Sequence, residues 1–425
     1  MRLPIGYRGD IGSPALFKIT LADFIVRGAY QMGKTPLLPL FAASLGASDA
    51  VLGLIVAVST LTGMVTKPLF GLLSDRMGRR LWLLIGTLLF AGVPFLYGLI
   101  ETPGQLVAIR LLHGTATAIY GPVTVAYVAE RGGKRKAERL GWFGVARSGG
   151  YLVGPVAAGW LLLTLDPVTV FTLIGGLSMA AFLPVLALGE EKQEGRVLGK
   201  RRAGPQAWRV PPAAMIRQSV FGQAGLASVP AVWLSGALEA SVFVVTYVIK
   251  AFLPVYALTA GYSTVEIGLF FTAQEGALVL LKPWGGRLGD RLGHLRAVSL
   301  GMGCLGLSLP FLLTATDMVA LLAVAAAMGA AQALFFPATL ALIAEQARPG
   351  RVGAGMGLAG SLKSGGKVAG PLLGGLLISA MGYGGLLWML GGMLVAGALG
   401  LFLWIRLSDF PLAPAAQRVE PERSG

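Results

Sequence analysis

Charge is what this sequence has least of. Lys, Arg, Asp and Glu make up 13% of its 425 residues, against roughly 25% in a soluble globular protein. That is too little to solvate the surface of so long a chain. Cysteine is nearly absent too. The lone Cys304 excludes a disulfide framework or a cysteine metal site, and its apolar surroundings make it an ordinary buried thiol by expectation. No nucleophile–base pair, metal-ligand cluster or phosphate-binding loop is found, so neither an enzyme nor a bound metal or cofactor is expected. The first fifteen residues contain Arg2, Arg8, three glycines and two prolines, with no unbroken apolar run and no small-residue cleavage site. No cleaved signal peptide is expected from them. Alternating strands of about ten residues, the mark of a membrane β-barrel, are missing as well.

What is present is apolar. Hydrophobic residues form 55% of the chain, in blocks of 18 or more that are long enough to cross the ~30 Å hydrocarbon core as helices. Twelve such blocks can be drawn, centred near residues 30, 62, 90, 116, 151, 178, 243, 276, 305, 331, 366 and 395. A net charge of +15 invites a nucleic-acid reading, but the location of the charge argues against one. Arg76, Arg79 and Arg80, Arg131 to Arg139, Lys192 to Arg217, Arg287, Arg291 and Arg296, and Arg348 and Arg351 all lie in alternate connections. The opposite connections carry Asp49, Glu101, Asp166, Glu266 and Asp317 and no Lys or Arg. This asymmetry is the positive-inside pattern, and it predicts a multi-pass plasma-membrane protein with both termini in the cytoplasm. The bilayer is the expected partner of the basic charge, and nucleic acid is not.

The chain also repeats itself. Shifted by 215 or 216 residues, Lys67-Pro68 meets Lys282-Pro283, Asp75-Arg76 meets Asp290-Arg291, Glu130 meets Glu345, and Gly154-Pro155 meets Gly370-Pro371. Asp23 and Lys34 likewise meet Glu239 and Lys250. A repeat of this length describes an architecture: two pseudo-symmetric six-helix bundles with a ligand site between them near the bilayer midplane. The expected organisation is an N-terminal bundle at 1–188, a linker at 189–228, a C-terminal bundle at 229–408 and a tail at 409–425. Met215 to Leu226 within the linker is mildly amphipathic and is expected to lie along the membrane face.

The connection after the second block reads Gly71-Leu-Leu-Ser-Asp75-Arg76-Met-Gly78-Arg79-Arg80, and its counterpart holds Gly286, Asp290 and Arg291, followed by His294 and Leu295. Glycine for close packing, a fixed acid and adjacent bases in a short turn suit a latch. The acid engages a neighbouring helix N-terminus or Arg and releases it when the halves rock. The bland alternative is a solvated turn that orients its helices by charge. Residues 71–80 match the G-x-x-x-D-R-x-G-R-R signature, and the sequence from about 14 to 406 resembles the major facilitator superfamily, in particular its drug:proton antiporter branch. The resemblance implies twelve helices, a central cavity, alternating access and a role for Asp75 and Asp290 in holding the outward-facing state.

Gly150, Gly154 and Pro155 in the fifth block, with Gly366, Gly370 and Pro371 in the eleventh, resemble that family's antiporter motif, with Ala158 departing from it. Small residues and proline at that spacing predict a close-packed pivot where the halves meet. Arg110 and His113 resemble the family's R-x-x-x-G segment tied to proton transfer.

Ionisable side chains inside apolar blocks are costly and should face a cavity or each other. Asp23, Arg27 and Lys34 fall near one helical direction, and Glu239 with Lys250 repeats the spacing. Arg147 aligns with Lys363, Lys367 lies one turn further on, and Glu275 sits in the eighth block. The excess of bases over acids predicts a cavity of positive potential that attracts an anion, although internal ion pairs are the alternative. Arg27, Lys34, Arg147, Lys250, Lys363, Lys367, Tyr30 and Tyr247 are therefore the substrate candidates. Asp23, Glu239, Arg110, His113 and Glu275 are the candidates for proton coupling. The reading is a monomeric secondary transporter, a proton-coupled exporter of an anionic or amphipathic small molecule. The alternatives are multidrug efflux of hydrophobic or cationic compounds, proton-coupled uptake of an organic anion, and a non-transporting receptor.

Overall fold

The computed structural model describes residues 14–131, 136–188, 230–346 and 352–407. The expected linker, its amphipathic stretch and the tail lie outside the described residues. Every regular element in the described residues is helical, the outcome a hydrocarbon environment imposes on a chain that must satisfy its own backbone. Helix α1 runs Pro14–Met32, loosens into a π turn at Gly33–Leu37 and resumes at Leu38–Ser44. It is followed by α2 (Asp49–Met77), α3 (Arg79–Gly92, continued as Val93–Leu99), α4 (Pro103–Arg131), α5 (Lys136–Leu161) and α6 (Pro167–Met179, then Phe182–Leu186). The second half holds α7 (Pro230–Thr259), α8 (Thr264–Leu292), α9 (His294–Ser308, then Phe311–Thr314) and α10 (Met318–Gln346). The final stretch, Val352–Leu407, breaks at Gly382 (φ 71°) into α11 and α12. Eight stretches among the described residues are long and apolar enough to cross a membrane, and the last of these contains both α11 and α12. The remaining three spans, α1, α4 and α5, hold the embedded charges Asp23, Arg27, Arg110 and Arg147. The twelve helices form two bundles of six.

The repeat in sequence is a repeat in packing. Helix α1 packs on α5 as α7 packs on α11, and α4 packs on α2 and α3 as α10 packs on α8 and α9. Interior prolines recur at the same interval, Pro68 with Pro283 and Pro122 with Pro337. The signature connections turn on a single glycine each, Gly78 (φ 92°, ψ 145°) and Gly293 (φ 89°, ψ 136°). Only glycine adopts that conformation readily, so the helix reverses with no loop to spare. Cys304 is exposed on α9 rather than buried; an outward apolar surface is the expected environment of a membrane helix, so position within an apolar block does not settle burial.

The halves touch through α2 against α11 and α5 against α8, near the ends that carry Asp49 and Glu266. These contacts are backbone on backbone. A Cβ on Gly53 would lie 2.1 Å from the Pro371 carbonyl oxygen, and one on Gly268 would lie 2.5 Å from that of Pro155. Gly159 and Gly375 make the reciprocal approaches, to Thr264 and Asp49. The hydroxyls of Thr264 and Thr272 add hydrogen bonds to the Gly159 and Leu152 carbonyls, at 2.7 and 2.8 Å. The molecule is therefore closed on the side bearing Asp49 and Glu266. No contact of this kind joins the opposite ends among the described residues.

Candidate functional site

Between the halves lies a cavity of about 1180 Å³. It runs from Lys34, Ser59 and Gln332 in the middle of the bundle to Leu140 and Ala344, near the ends of α5 and α10 on the open side. Seven cationic side chains line it (Arg27, Lys34, Lys67, Lys250, Lys282, Lys363 and Lys367) against two carboxylates, Glu239 and Glu275. Lys34 sits in the π turn of α1, where Thr35 leaves helical geometry (φ −148°, ψ 120°). That local loosening places a cation from the first half against the second. Its Nζ lies 4.8 Å from the centre of the Tyr247 ring and 5.8 Å from that of Tyr30. Lys250 and Lys367 approach the same Tyr247 ring at 5.8 and 5.6 Å, and Lys367 and Lys363 stand 4.6 and 4.9 Å from Phe243. Aromatic faces hold ammonium groups in a fixed place, but they leave the positive charge uncancelled.

Not every sequence candidate reaches this cavity. Asp23 is buried and receives a bidentate pair of hydrogen bonds from Arg147, both 2.8 Å, with Arg27 3.7 Å away. Arg147 also donates to Thr124 and stacks its guanidinium on Phe143. The expectation that Asp23 and Arg147 face the cavity is corrected here: they form an internal pair that ties α1 to α5. Arg110 is buried in the first bundle, donating to Ser59 Oγ and, at 3.3 Å, to the Ile55 carbonyl. His113 lies beside it among Tyr30, Phe90 and Tyr97, 3.5 Å from the Tyr97 hydroxyl. Neither lines the cavity, although Ser59 does. Glu239 accepts from Thr339 at 2.9 Å and lies 3.7 Å from Lys363. Glu275 lines the cavity on α8. Both aromatic candidates, Tyr30 and Tyr247, line it, together with Phe243. Lys67 and Lys282, absent from the substrate candidates of the sequence, also stand on the cavity wall. Their matched places in the repeat, each before a proline, were the available signal.

The signature residues form a separate cluster on the open side. Arg79 contacts Asp75 and Ser74 and donates to Glu130 at 2.9 Å, all within the first half. In the second half His294 takes the place of Arg79 and meets Glu345 at 2.9 Å. Arg80 donates to the Leu186 carbonyl, linking α3 to α6. The antiporter-motif glycines need a correction. Gly150 and Gly154 face α1 of their own half, and Gly366 and Gly370 face Ala240 and Val244 of α7, because those are the helices that pack closest. The contact between halves is made by the carbonyls of the adjacent Pro155 and Pro371 and, about one turn further along, by Gly159 and Gly375.

The described residues thus form two six-helix bundles around a polar cavity, closed on one side by glycine-lined contacts. The family model of the Major Facilitator Superfamily matches residues 22–273 and 238–424. The chain belongs to this superfamily. Among curated relatives, multidrug resistance protein 1 of Bacillus subtilis is 30% identical over 159 residues, which are 37% of this chain and 41% of that protein. Quinolone resistance protein NorA of Staphylococcus aureus is 26% identical over 195 residues, 44% of this chain and 50% of that protein. The chain thus aligns with half or less of the length of these relatives. Among solved structures, the nucleoside transporter NupG superposes with a TM-score of 0.71 at 13% identity, covering 93% of this chain and 100% of that one. A bacterial homologue of the human lysosomal transporter Spinster, in an inward-facing and occupied conformation, gives 0.72 at 16% identity, covering 93% and 97%. At those identities the likeness establishes the fold. This chain is a multi-pass membrane protein of that superfamily.

Proposed function

We propose that this transporter exports an anionic or amphipathic small molecule in exchange for protons, by alternating access. The observation that carries the reading is the cavity wall, with seven cations and two carboxylates. At an effective dielectric of 20, a unit anion about 5 Å from one ammonium gains roughly 3 kcal/mol before desolvation, and a cation loses as much. Several such groups around one site select the sign of the solute. The positive-inside pattern orients the open side, with Asp75, Arg79 and Glu130, toward the cytoplasm, so the state described is loaded from inside. Glu239 and Glu275 face the cavity and are the carboxylates best placed to exchange a proton with it. Asp23, held by Arg147, is assigned a structural role instead.

Export of hydrophobic or cationic drugs is a second reading, favoured by the names of the curated relatives. Inverted vesicles energised with a proton gradient separate the two. The anion reading expects accumulation of an organic anion, with an accompanying proton flux, that is abolished in Lys34→Gln. Transport of a lipophilic cation that is indifferent to Lys34→Gln and Lys250→Gln supports the drug reading and overturns the first.

A further inference from the structure

The cations of the cavity differ in their partners. Lys363 lies 3.7 Å from Glu239, and Arg27 lies 3.7 Å from Asp23. Lys34, Lys250 and Lys367, gathered within 5.8 Å of one ring centre at Tyr247, have no carboxylate within ion-pair distance among the described residues. A monoanion placed there leaves a surplus of positive charge, whereas a doubly charged group disperses most of it. The cluster is built from ammonium groups, which act as point charges. A dedicated carboxylate site is more often made by the planar fork of arginine, and lysine suits a compact phosphate. One cation comes from the first half and two from the second, so a ligand held there bridges the bundles.

Toward the open side the wall changes character. Val145 is 60% exposed and Leu340 49% exposed on the cavity wall, which Leu140, Leu278 and Val279 also line. Apolar side chains facing water in a mouth of this size gain from contact with an apolar surface. The order from the midplane outward is therefore three lysines, an aromatic collar of Tyr247 and Phe243, then a wall in which aliphatic side chains stand beside Lys67 and Lys282.

We infer that the substrate is a phosphate-monoester amphiphile: a dianionic head seated among Lys34, Lys250 and Lys367, and an apolar stem lying along the Val145 and Leu340 walls. This rests on the anion reading above and narrows it. A lipid with a terminal phosphate and a soluble phosphorylated metabolite with an apolar group both present this chemistry.

The test measures binding to the full chain in lipid nanodiscs, by calorimetry, with four probes: octyl phosphate, octyl sulfate, inorganic phosphate and octyltrimethylammonium. A phosphate monoester takes its second charge near pH 6, while the sulfate ester keeps one charge throughout. Octyl phosphate is expected to bind at least about tenfold more tightly than octyl sulfate at pH 8, and this preference should vanish at pH 5. Inorganic phosphate should bind at least about tenfold more weakly than octyl phosphate. Lys34→Gln and Lys250→Gln should each remove most of the phosphate preference, with Lys34→Arg retaining it as a control for folding. Equal affinity for octyl sulfate and octyl phosphate at pH 8 overturns the dianion assignment and leaves the anion reading standing. Equal affinity for inorganic phosphate overturns the stem. Tighter binding of octyltrimethylammonium than of either ester overturns the inference and the anion reading together. A long-chain lysophosphatidate that binds more tightly than octyl phosphate identifies the lipid source, and one that is excluded identifies the soluble source.

Discussion

The double substitution Gly53→Ala with Gly375→Ala acts on one side of the transport cycle only. A methyl group on Gly53 would stand 2.1 Å from the Pro371 carbonyl oxygen, and one on Gly375 would stand 2.3 Å from that of Asp49. Both obstacles are backbone in helices, so no side chain can rotate away. Helices α2 and α11 must part by about 1 Å to restore ordinary contact. Overpacking of this kind costs about 1–3 kcal/mol at each site. That cost falls on the state closed at these contacts and is absent when they separate, so it biases the conformational equilibrium. With 1.4 kcal/mol to each factor of ten, one substitution should shift the balance about 5- to 150-fold toward closure of the opposite side. The assay uses a Cys304→Ser background with Ala344→Cys as a reporter in the mouth of the cavity. Maleimide labelling of that reporter should slow by about tenfold in each single glycine variant, and further in the double one. Unchanged labelling in a double variant of normal melting temperature would refute the claim that these glycines hold this side closed.

Other expectations test separate parts of the structure. Arg147→Leu leaves the Asp23 carboxylate buried without its main partner and should destabilise the first half by about 3–5 kcal/mol; combining it with Asp23→Asn should recover part of the loss in thermal melting. Lys67→Gln and Lys282→Gln, in the open half of the cavity, should weaken anion binding less than Lys34→Gln does, because they lie outside the cluster around Tyr247. Equal losses in equilibrium binding would show that the cavity acts only through its total charge. On the closed side, Asp166 caps α6 by accepting from the Thr169 hydroxyl and backbone N–H at 2.6 and 3.0 Å, which hold its carboxyl below the usual value. A depressed acid stabilises fully above the unfolded-state value near 3.9 and loses the effect as pH falls through the lowered folded value. Thr169→Ala should therefore bring the acid-induced loss of melting temperature to a higher pH.

The sequence carried the architecture because its physics is one-dimensional. Block length gives the spans, charge gives their alternation, and the interval of 215 or 216 residues gives two bundles. Pairing across space left a fainter trace. Asp23 and Arg147 are separated by 124 residues, and helical spacing on α1 says nothing of α5, so direction alone points both to the cavity. Lys34 stands on the cavity wall, and the π turn at Gly33–Leu37 that presents it lies outside an ideal helical projection. The motif glycines were legible as small residues for close packing. Which neighbour they face depends on the rotation of α5 and α11, and only the Cβ positions reveal it. Lys67 and Lys282 were visible as matched Lys-Pro pairs, and each stands on the cavity wall.

The positive potential of the cavity is the claim on which the functional reading depends, and a thiol inside it measures that potential directly. In a Cys304→Ser background, Ser148→Cys places a reporter on the cavity wall without replacing a charged residue. Its reaction rates with an anionic and a cationic methanethiosulfonate of similar size, each normalised to a free thiol, give the sign and strength of the field. A large preference for the anionic reagent is expected, one that declines with salt and collapses when Lys34, Lys250 and Lys367 are all changed to Gln. A preference for the cationic reagent, or none at low ionic strength, would contradict it.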